Sequence, residues 1–276
     1  AGQAGPPGVL ALLCDASPPG VDNGGAGLFL KAPDGSPPLG DLAGVFQLIL
    51  PERPRGMFIG PEAIHRLLDR NGLGRAVEPK AAPTSLSASP PPSPKVEESA
   101  TAAMLASTVS VIAFDGNEPG SRSYAAGTVI SSTSDRSIVL TSAHIVLGRA
   151  ADAPGGRKKV METIRVVLDT KDSPQGAFAA EAIQVDEDRD LAALRIRPGA
   201  IIPTARVAPP SRRLVVGAPA SRLDRPDPDR DRPLEVKPTT IVALDHKITN
   251  RASSWTSCTG APKGGLSGSG LFVADS

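Results

Sequence analysis

The sequence predicts an all-β protein in which short strands form a barrel or a sandwich. Its 276 residues include 29 Pro and 28 Gly, which is too many for a helical protein and indicates frequent turns. Short segments rich in Val, Ile, Leu and Thr are bounded by Gly, Pro, Asp or Ser, as expected for strands closed by turns. No long stretch of helical periodicity separates these segments, which argues against an α/β sheet.

Individual strands are assigned from the same segments. After residue 100, strands are predicted at residues 108–114, 125–131, 137–141, 164–168, 179–185, 191–197, 214–216 and 238–244. Before residue 75, strands are predicted at residues 28–31, 42–50 and around 57–59.

A short helix is predicted near residues 61–70. Ile64, Leu67 and Leu68 recur at the spacing of one helical face, and Pro61 suits a first helical turn. Residues 76–100 follow, and they are rich in Pro, Ser and Ala with almost no large apolar side chains. Such a segment buries too little surface to offset its ordering entropy, so a disordered linker is predicted there.

Charge and cysteine content limit the partners and the compartment. Thirty basic residues stand against 29 acidic residues, so neither nucleic acid nor a membrane surface is predicted as a partner. Cys14 and Cys258 cannot form a disulfide framework. Two reduced thiols favour an intracellular or organellar location over secretion, although a single pairing stays open. Three scattered His residues offer no zinc ligand cluster, and no metal or cofactor is predicted.

Three positions along the chain carry residues suited to nucleophilic catalysis. His144 follows the predicted strand 137–141, Asp190 precedes an apolar run, and Ser267 lies in the segment 265–268 (GLSG). A serine hydroxyl is a weak nucleophile until a base takes its proton, and the base needs a third group to fix its tautomer. Glycines beside Ser267 allow a tight turn that aims N–H groups at one point. Each of the three residues alone is weak evidence for catalysis, and their order along the chain makes the combination informative.

These stretches resemble the trypsin-like (chymotrypsin-fold) serine proteases, and within them the Deg/HtrA-like branch. Residues 126–144 are similar to the strand–strand–histidine segment of that family, residues 190–196 (DLAALRI) to its aspartate strand, and residues 265–268 to its nucleophile loop. The resemblance covers about residues 105–276. It implies two six-stranded β-barrels with a catalytic triad in the cleft between them.

The resemblance also assigns roles to residues. It implies His144 as general base, Asp190 as the group that orients it, and Ser267 as nucleophile, with the backbone N–H groups of Gly265 and Ser267 as the oxyanion hole. The implied function is a serine endopeptidase that hydrolyses protein or peptide substrates through an acyl-enzyme. Leu266 stands where the family often has Asp or Asn, which argues against a zymogen switch based on that acid.

The domain interpretation follows from the position of Ser267, nine residues before the last residue. Residues 101–276 are interpreted as a trypsin-like protease domain that lacks its last strands. Residues 1–75 repeat a Cys…Gly-Leu-Phe pattern found again from Cys258, with Gly24 at the position of Ser267. They are interpreted as the C-terminal portion of an inactive protease-like barrel, joined through the linker 76–100.

Two arrangements and two further functions stay open at this point. In a tandem array, residues 1–75 finish a preceding copy; in a permuted or complemented fold, their strands dock into the barrel that contains Ser267. An inactive protease-like fold that binds proteins or peptides is the alternative to an endopeptidase. A generic β-sandwich interaction module is the third reading, and it requires His144, Asp190 and Ser267 to lie far apart.

Overall fold

A computed structural model describes residues 11–14, 28–30, 41–50, 55–70, 72–74, 101–116, 122–148, 158–168, 176–209, 214–224, 235–247, 254–258 and 270–273. Its strands are β1 (Ala11–Cys14), β2 (Leu28–Leu30), β3 (Asp41–Leu50), β4 (Arg55–Ile59), β5 (Thr108–Phe114), β6 (Ser123–Ser132), β7 (Ser137–Ser142), β8 (Thr163–Leu168), β9 (Gly176–Ala179), β10 (Glu181–Asp186), β11 (Leu191–Ile196), β12 (Pro219–Asp224), β13 (Glu235–Lys247), β14 (Ser254–Cys258) and β15 (Gly270–Val273). Two helices are named, α1 (Pro61–Asp69) and α2 (Ala143–Val146). The prediction of a mostly-β fold is confirmed.

The strands form two sheets. Seven of them make one antiparallel sheet in the order β10-β11-β7-β6-β5-β8-β9. Eight make a closed barrel in the order β1-β14-β13-β12-β2-β15-β3-β4. The resemblance implied six strands in each unit; the described residues add the short strands β1 and β2 to the barrel and β9 to the open sheet. The barrel therefore combines strands from both ends of the chain.

Two apolar clusters lie on the two faces of the seven-stranded sheet. Successive residues of β7 point to opposite faces, because side chains alternate along a strand. Leu140 lies in the cluster shared with α1, β3 and β4, and Val139 lies in the cluster formed by the sheet itself. Strand β11 divides in the same way, with Leu191 facing α1 and Ala192 facing the other side. The sheet is therefore buried on both faces along these strands.

The sequence located most strands within one or two residues, and one assignment is wrong. Residues 214–216 are not a strand: they lead into a turn in which the Ala218 N–H donates to the Val215 carbonyl at 3.1 Å. Gly217 takes a left-handed φ of 88° there, and the Val215 side chain is exposed. Three consecutive apolar residues were read as a buried strand, although periodicity cannot assign so short a run.

The helix prediction is confirmed at α1, and two helical segments were not predicted. Pro61 begins α1 and the helix ends at Asp69, with Ile64, Leu67 and Leu68 buried. Residues 101–106 are also helical, and α2 spans four residues. The predicted linker 76–100 lies outside the described residues. In the part of the chain that the structure describes, no helix is both long enough and apolar enough to cross a membrane.

We expect Gly127→Ala to destabilise the protein. A Cβ at Gly127 on β6 would meet Val139 Cγ1 at 2.6 Å, Val111 Cγ2 at 3.0 Å and the Leu140 carbonyl oxygen at 3.2 Å. Overpacking of this kind costs about 1–3 kcal/mol. Urea denaturation measures the loss. A Gly127 variant as stable as the parent would show that Val111 on β5 and Val139 on β7 can move away from the added methyl group without a loss of stability.

Candidate functional site

His144 is positioned by the junction of β7 and α2. Strand β7 is buried along its whole length and ends at Ser142, which is the N-cap residue of the one-turn helix α2. Ala143, Ile145 and Val146 are buried on that turn, so the turn is anchored and His144 is its one exposed residue. The sequence placed His144 at a strand end; the structure places it two residues past the end of β7, on a helical turn too short to be predicted from four residues.

Asp190 is brought to this turn by the register of β11 against β7. Leu191 pairs with Ser142, so the residue before Leu191 meets the residue after Ser142. The Ala143 N–H accordingly donates to the Asp190 carbonyl at 3.0 Å. The Asp190 side chain is 5% exposed. Two residues that lie 46 positions apart in the sequence are therefore adjacent because two buried strands pair.

His144 occupies both oxygens of the Asp190 carboxylate. Its backbone N–H donates to Oδ1 at 2.7 Å, and its ring Nδ1 lies 2.7 Å from Oδ2. An ionised carboxylate only accepts hydrogen bonds, so Nδ1 carries the hydrogen in this contact. The neutral imidazole then has its lone pair on Nε2. A histidine held in this tautomer can take a proton at Nε2, which is what a general base requires.

A four-residue turn holds the backbone of Asp190 in an unusual conformation. Asp190 is the one described non-glycine residue with a positive φ, at 53°. Its N–H donates to the Glu187 carbonyl at 3.2 Å. Asp186, whose side chain is 7% exposed, accepts from the Arg189 N–H at 3.0 Å and from the Arg189 guanidinium at 2.8 Å. Left-handed backbone costs about 1–3 kcal/mol outside glycine and persists where the surroundings fix it.

Asp186 and Arg189 were missed by the sequence reasoning. The signal was the acidic run 186–190 (DEDRD), in which the first acid precedes Asp190 by four residues, the spacing of a closed turn. A run of charges normally indicates a solvated loop, and here Glu187 and Asp188 are exposed while Asp186 and Asp190 are buried.

We expect Asp186→Asn to lower the free energy of unfolding by about 1–3 kcal/mol. The amide that replaces one oxygen cannot accept from the Arg189 guanidinium, and a buried hydrogen bond to a charged group is lost. Glu187→Gln is the control in the same turn: Glu187 is 54% exposed and pairs with Lys158, and exposed pairs contribute about 0–1 kcal/mol. Equal midpoints in urea for the two variants would contradict a structural role for Asp186.

The structure brings together two of the four predicted site residues. His144 and Asp190 are in contact, whereas Gly265 and Ser267 lie outside the described residues. The flanking strands β14 and β15 belong to the barrel, so residues 259–269 connect two of its strands. Open depressions among the described residues lie near Arg195 and Arg197, at the end of β11 opposite Asp190, and they contribute nothing to this site.

No described group of three or more His, Cys, Asp or Glu side chains is arranged to hold a metal ion. The arrangement that is present is an acid–imidazole pair, which is able to take up and release a proton.

The sequence model of the trypsin-like peptidase domain matches residues 125–276, which is more than half of the chain. The chain belongs to this family, and the resemblance to trypsin-like proteases is confirmed. Among solved structures it is similar to one titled "Crystal structure of Deg5", with 16% sequence identity and a TM-score of 0.46, covering 64% of this chain and 80% of that chain. No match was found among curated proteins.

Proposed function

We propose that this protein is a serine endopeptidase that hydrolyses peptide bonds through Ser267, His144 and Asp190. The observation that carries the proposal is the double contact between His144 and the buried Asp190, since it fixes the imidazole in the tautomer of a general base. Membership of the trypsin-like peptidase family supports the same class of reaction and implies protein or peptide substrates.

The proposed reaction proceeds in two steps. In the first, the Ser267 hydroxyl attacks the peptide carbonyl while Nε2 of His144 takes its proton, and the imidazolium then protonates the departing amine. In the second, water attacks the acyl-enzyme with His144 again as base, and the serine is released. The backbone N–H groups of Gly265 and Ser267 are the proposed donors to the carbonyl oxygen as it gains negative charge.

Asp190 has an electrostatic role in both steps. When His144 becomes protonated, its positive charge forms beside a carboxylate from which water is largely excluded. An ion pair is stronger at such a site than in bulk water, because the surrounding dielectric constant is lower. The backbone N–H holds the carboxylate in place, and the hydrogen bond at Nδ1 holds the ring against it, so the same nitrogen serves as base and as acid.

Labelling with a fluorophosphonate tests the proposal. We expect one phosphonyl group per chain, located by mass spectrometry on Ser267, because the reagent modifies serines activated by a neighbouring base. Ser267→Ala abolishes this labelling, and Ser269→Ala, which removes a hydroxyl two residues away, leaves it in place. A folded protein that shows no adduct would contradict the endopeptidase and would support the inactive, peptide-binding interpretation.

A further inference from the structure

Residues 41–59 close the barrel that contains the strands on either side of residues 259–269. Strand β3 pairs with β15, with Val45 opposite Gly270. Its other neighbour is β4, which pairs in turn with β14 through Phe58 and Thr256. Without β3 and β4, the backbone groups of β15 that face β3 would have no strand partner and β1 would lose its partner β4, and unpaired strand edges are unstable and prone to association.

The same segment fills the space between the barrel and the seven-stranded sheet. Leu42, Val45 and Ile64 have no exposed surface, and Leu67 is 1% exposed. They pack in one cluster with four residues of β7 and β11: Ile138, Leu140, Leu191 and Ala193. These are the two strands that position His144 and Asp190. Removal of α1 and β3 would take away a large part of the apolar cover on this face of those strands.

Polar contacts fix the segment to the connection between β11 and β12. The Leu42 N–H donates to the Arg206 carbonyl at 2.6 Å, and the Ala208 N–H donates to the Leu42 carbonyl at 2.9 Å. The Arg206 guanidinium pairs with the carboxylate of Asp41, a residue that is 2% exposed. His65 on α1 donates from Nε2 to the Ala208 carbonyl at 2.9 Å. An ion pair between the buried Asp41 and the partly exposed Arg206, together with three directed hydrogen bonds, specifies one docking position.

A further contact reaches the turn that holds Asp190. The Arg70 guanidinium, one residue past α1, lies 3.5 Å from the Asp186 carboxylate. Arg70 is more than half exposed, so this contact stabilises the fold little by itself. It places the end of the segment beside the turn that contains Asp186 and Asp190. The segment thus extends from the barrel edge to the base of the candidate site.

We propose that residues 41–70 are an intramolecular partner of the rest of the chain: they dock in the same chain, complete the barrel that carries Ser267 and cover the back of the His144–Asp190 strands. The statement that this barrel carries the nucleophile rests on the proposed function. This is the complemented arrangement, in which a segment from the first part of the chain completes a barrel with strands that lie near its end.

The positions of the two ends of the connecting segment favour docking within one chain. Leu73 lies just before residues 75–100, and Met104 lies just after them; both pack in the cluster that also contains α1. A chain of 26 residues can span up to roughly 90 Å. The ends therefore meet well within reach, and the entropy of closing such a loop grows only slowly with its length.

A disulfide trap tests the pairing and identifies the chain that supplies the segment. Val45→Cys and Gly270→Cys are introduced with Cys14→Ser and Cys258→Ser, because Cα atoms of directly paired antiparallel residues lie about 4.5–5.5 Å apart, within disulfide range. We expect a disulfide within one chain, seen as a faster-migrating monomer on non-reducing gels. The single variant Val45→Cys, in the same background, is the control and forms no such species. A disulfide that joins two chains would overturn the proposal.

A cut in the connecting segment provides a second readout that does not depend on engineered cysteines. A site-specific protease sequence inserted between Ala88 and Ser89 allows the full-length folded protein to be nicked. With Cys14→Ser and Cys258→Ser in place, because β1 and β14 pair these two residues directly, we expect both pieces to elute together at the mass of one chain and to separate only in denaturant. Leu67→Ala raises the dissociation constant of the nicked pieces on the order of 100-fold, since truncation of a buried Leu leaves a cavity. Arg66→Ala, on the exposed side of the same helix, leaves it unchanged.

The outcomes separate this proposal from the proposed function. Pieces that part in native buffer overturn the docking, whatever the protein catalyses. The protein can also form the disulfide within one chain and keep its pieces together, yet show no fluorophosphonate adduct. That combination would support the docking and contradict only the endopeptidase.

Discussion

Asp190→Asn lowers the second-order rate constant for fluorophosphonate labelling of Ser267 on the order of 10⁴-fold. An asparagine can present its amide NH₂ to His144 Nδ1, which then becomes the acceptor, and the hydrogen moves to Nε2. Histidine in that tautomer cannot take the proton of the serine hydroxyl, and this change in a catalytic triad costs about 10⁴ in rate. The reagent needs no knowledge of the preferred substrate side chain, so the measurement isolates activation of the nucleophile.

The control for this variant is Asp188→Asn, the same change two residues away on the exposed side of the turn. It leaves the labelling rate within about twofold. Both variants should keep the unfolding free energy of the parent within about 1 kcal/mol: the asparagine at position 190 can still accept from the His144 backbone N–H and can donate to Nδ1, and Asp188 is exposed. An Asp190 variant that is labelled at the parent rate would show that His144 is oriented by something other than this carboxylate.

The strands and the acid–base pair could be predicted because they depend on local patterns. Segments rich in Val, Ile, Leu and Thr between turn residues located β5 to β8 and β11, and the ends of two of these strands located His144 and Asp190. The contact itself depends on the register of β7 against β11, with Leu191 opposite Ser142. A shift by one residue would turn every side chain of β11 to the other face, so the burial pattern of both strands fixes the register only once they are known to pair.

Other features depend on interactions that no local pattern contains. Asp is a residue type that adopts a positive φ more often than most, but the type alone does not tell which acid of residues 186–190 does so; the turn is closed by Asp186 and Arg189. The pairing of β3 with β15 joins residues more than 200 positions apart, so the sequence alone left two arrangements of residues 1–75 open. The geometry of Ser267 remains a prediction, and the labelling experiment addresses it directly.

Leu42→Ala has the largest expected effect on stability, a loss of about 2–5 kcal/mol in the free energy of unfolding. Leu42 has no exposed surface, packs against both the barrel and the seven-stranded sheet, and shares two backbone hydrogen bonds with the connection at residues 206–208. Truncation of a buried Leu removes its transfer free energy and leaves a cavity that only partly relaxes. Urea denaturation followed by the fluorescence of Trp255, the one tryptophan, measures the loss.

The location of the loss is as informative as its size. Because the Leu42 cluster contains Leu140 and Leu191, we expect amide hydrogen exchange to accelerate in β7 and β11 as well as in the barrel strands. Ile201→Ala removes a similar apolar side chain that is 73% exposed, and it should change stability by no more than about 0.5 kcal/mol. If Leu42→Ala left exchange in β7 and β11 unaltered, the two sheets would unfold independently, and residues 41–70 would not be the shared core of this protein.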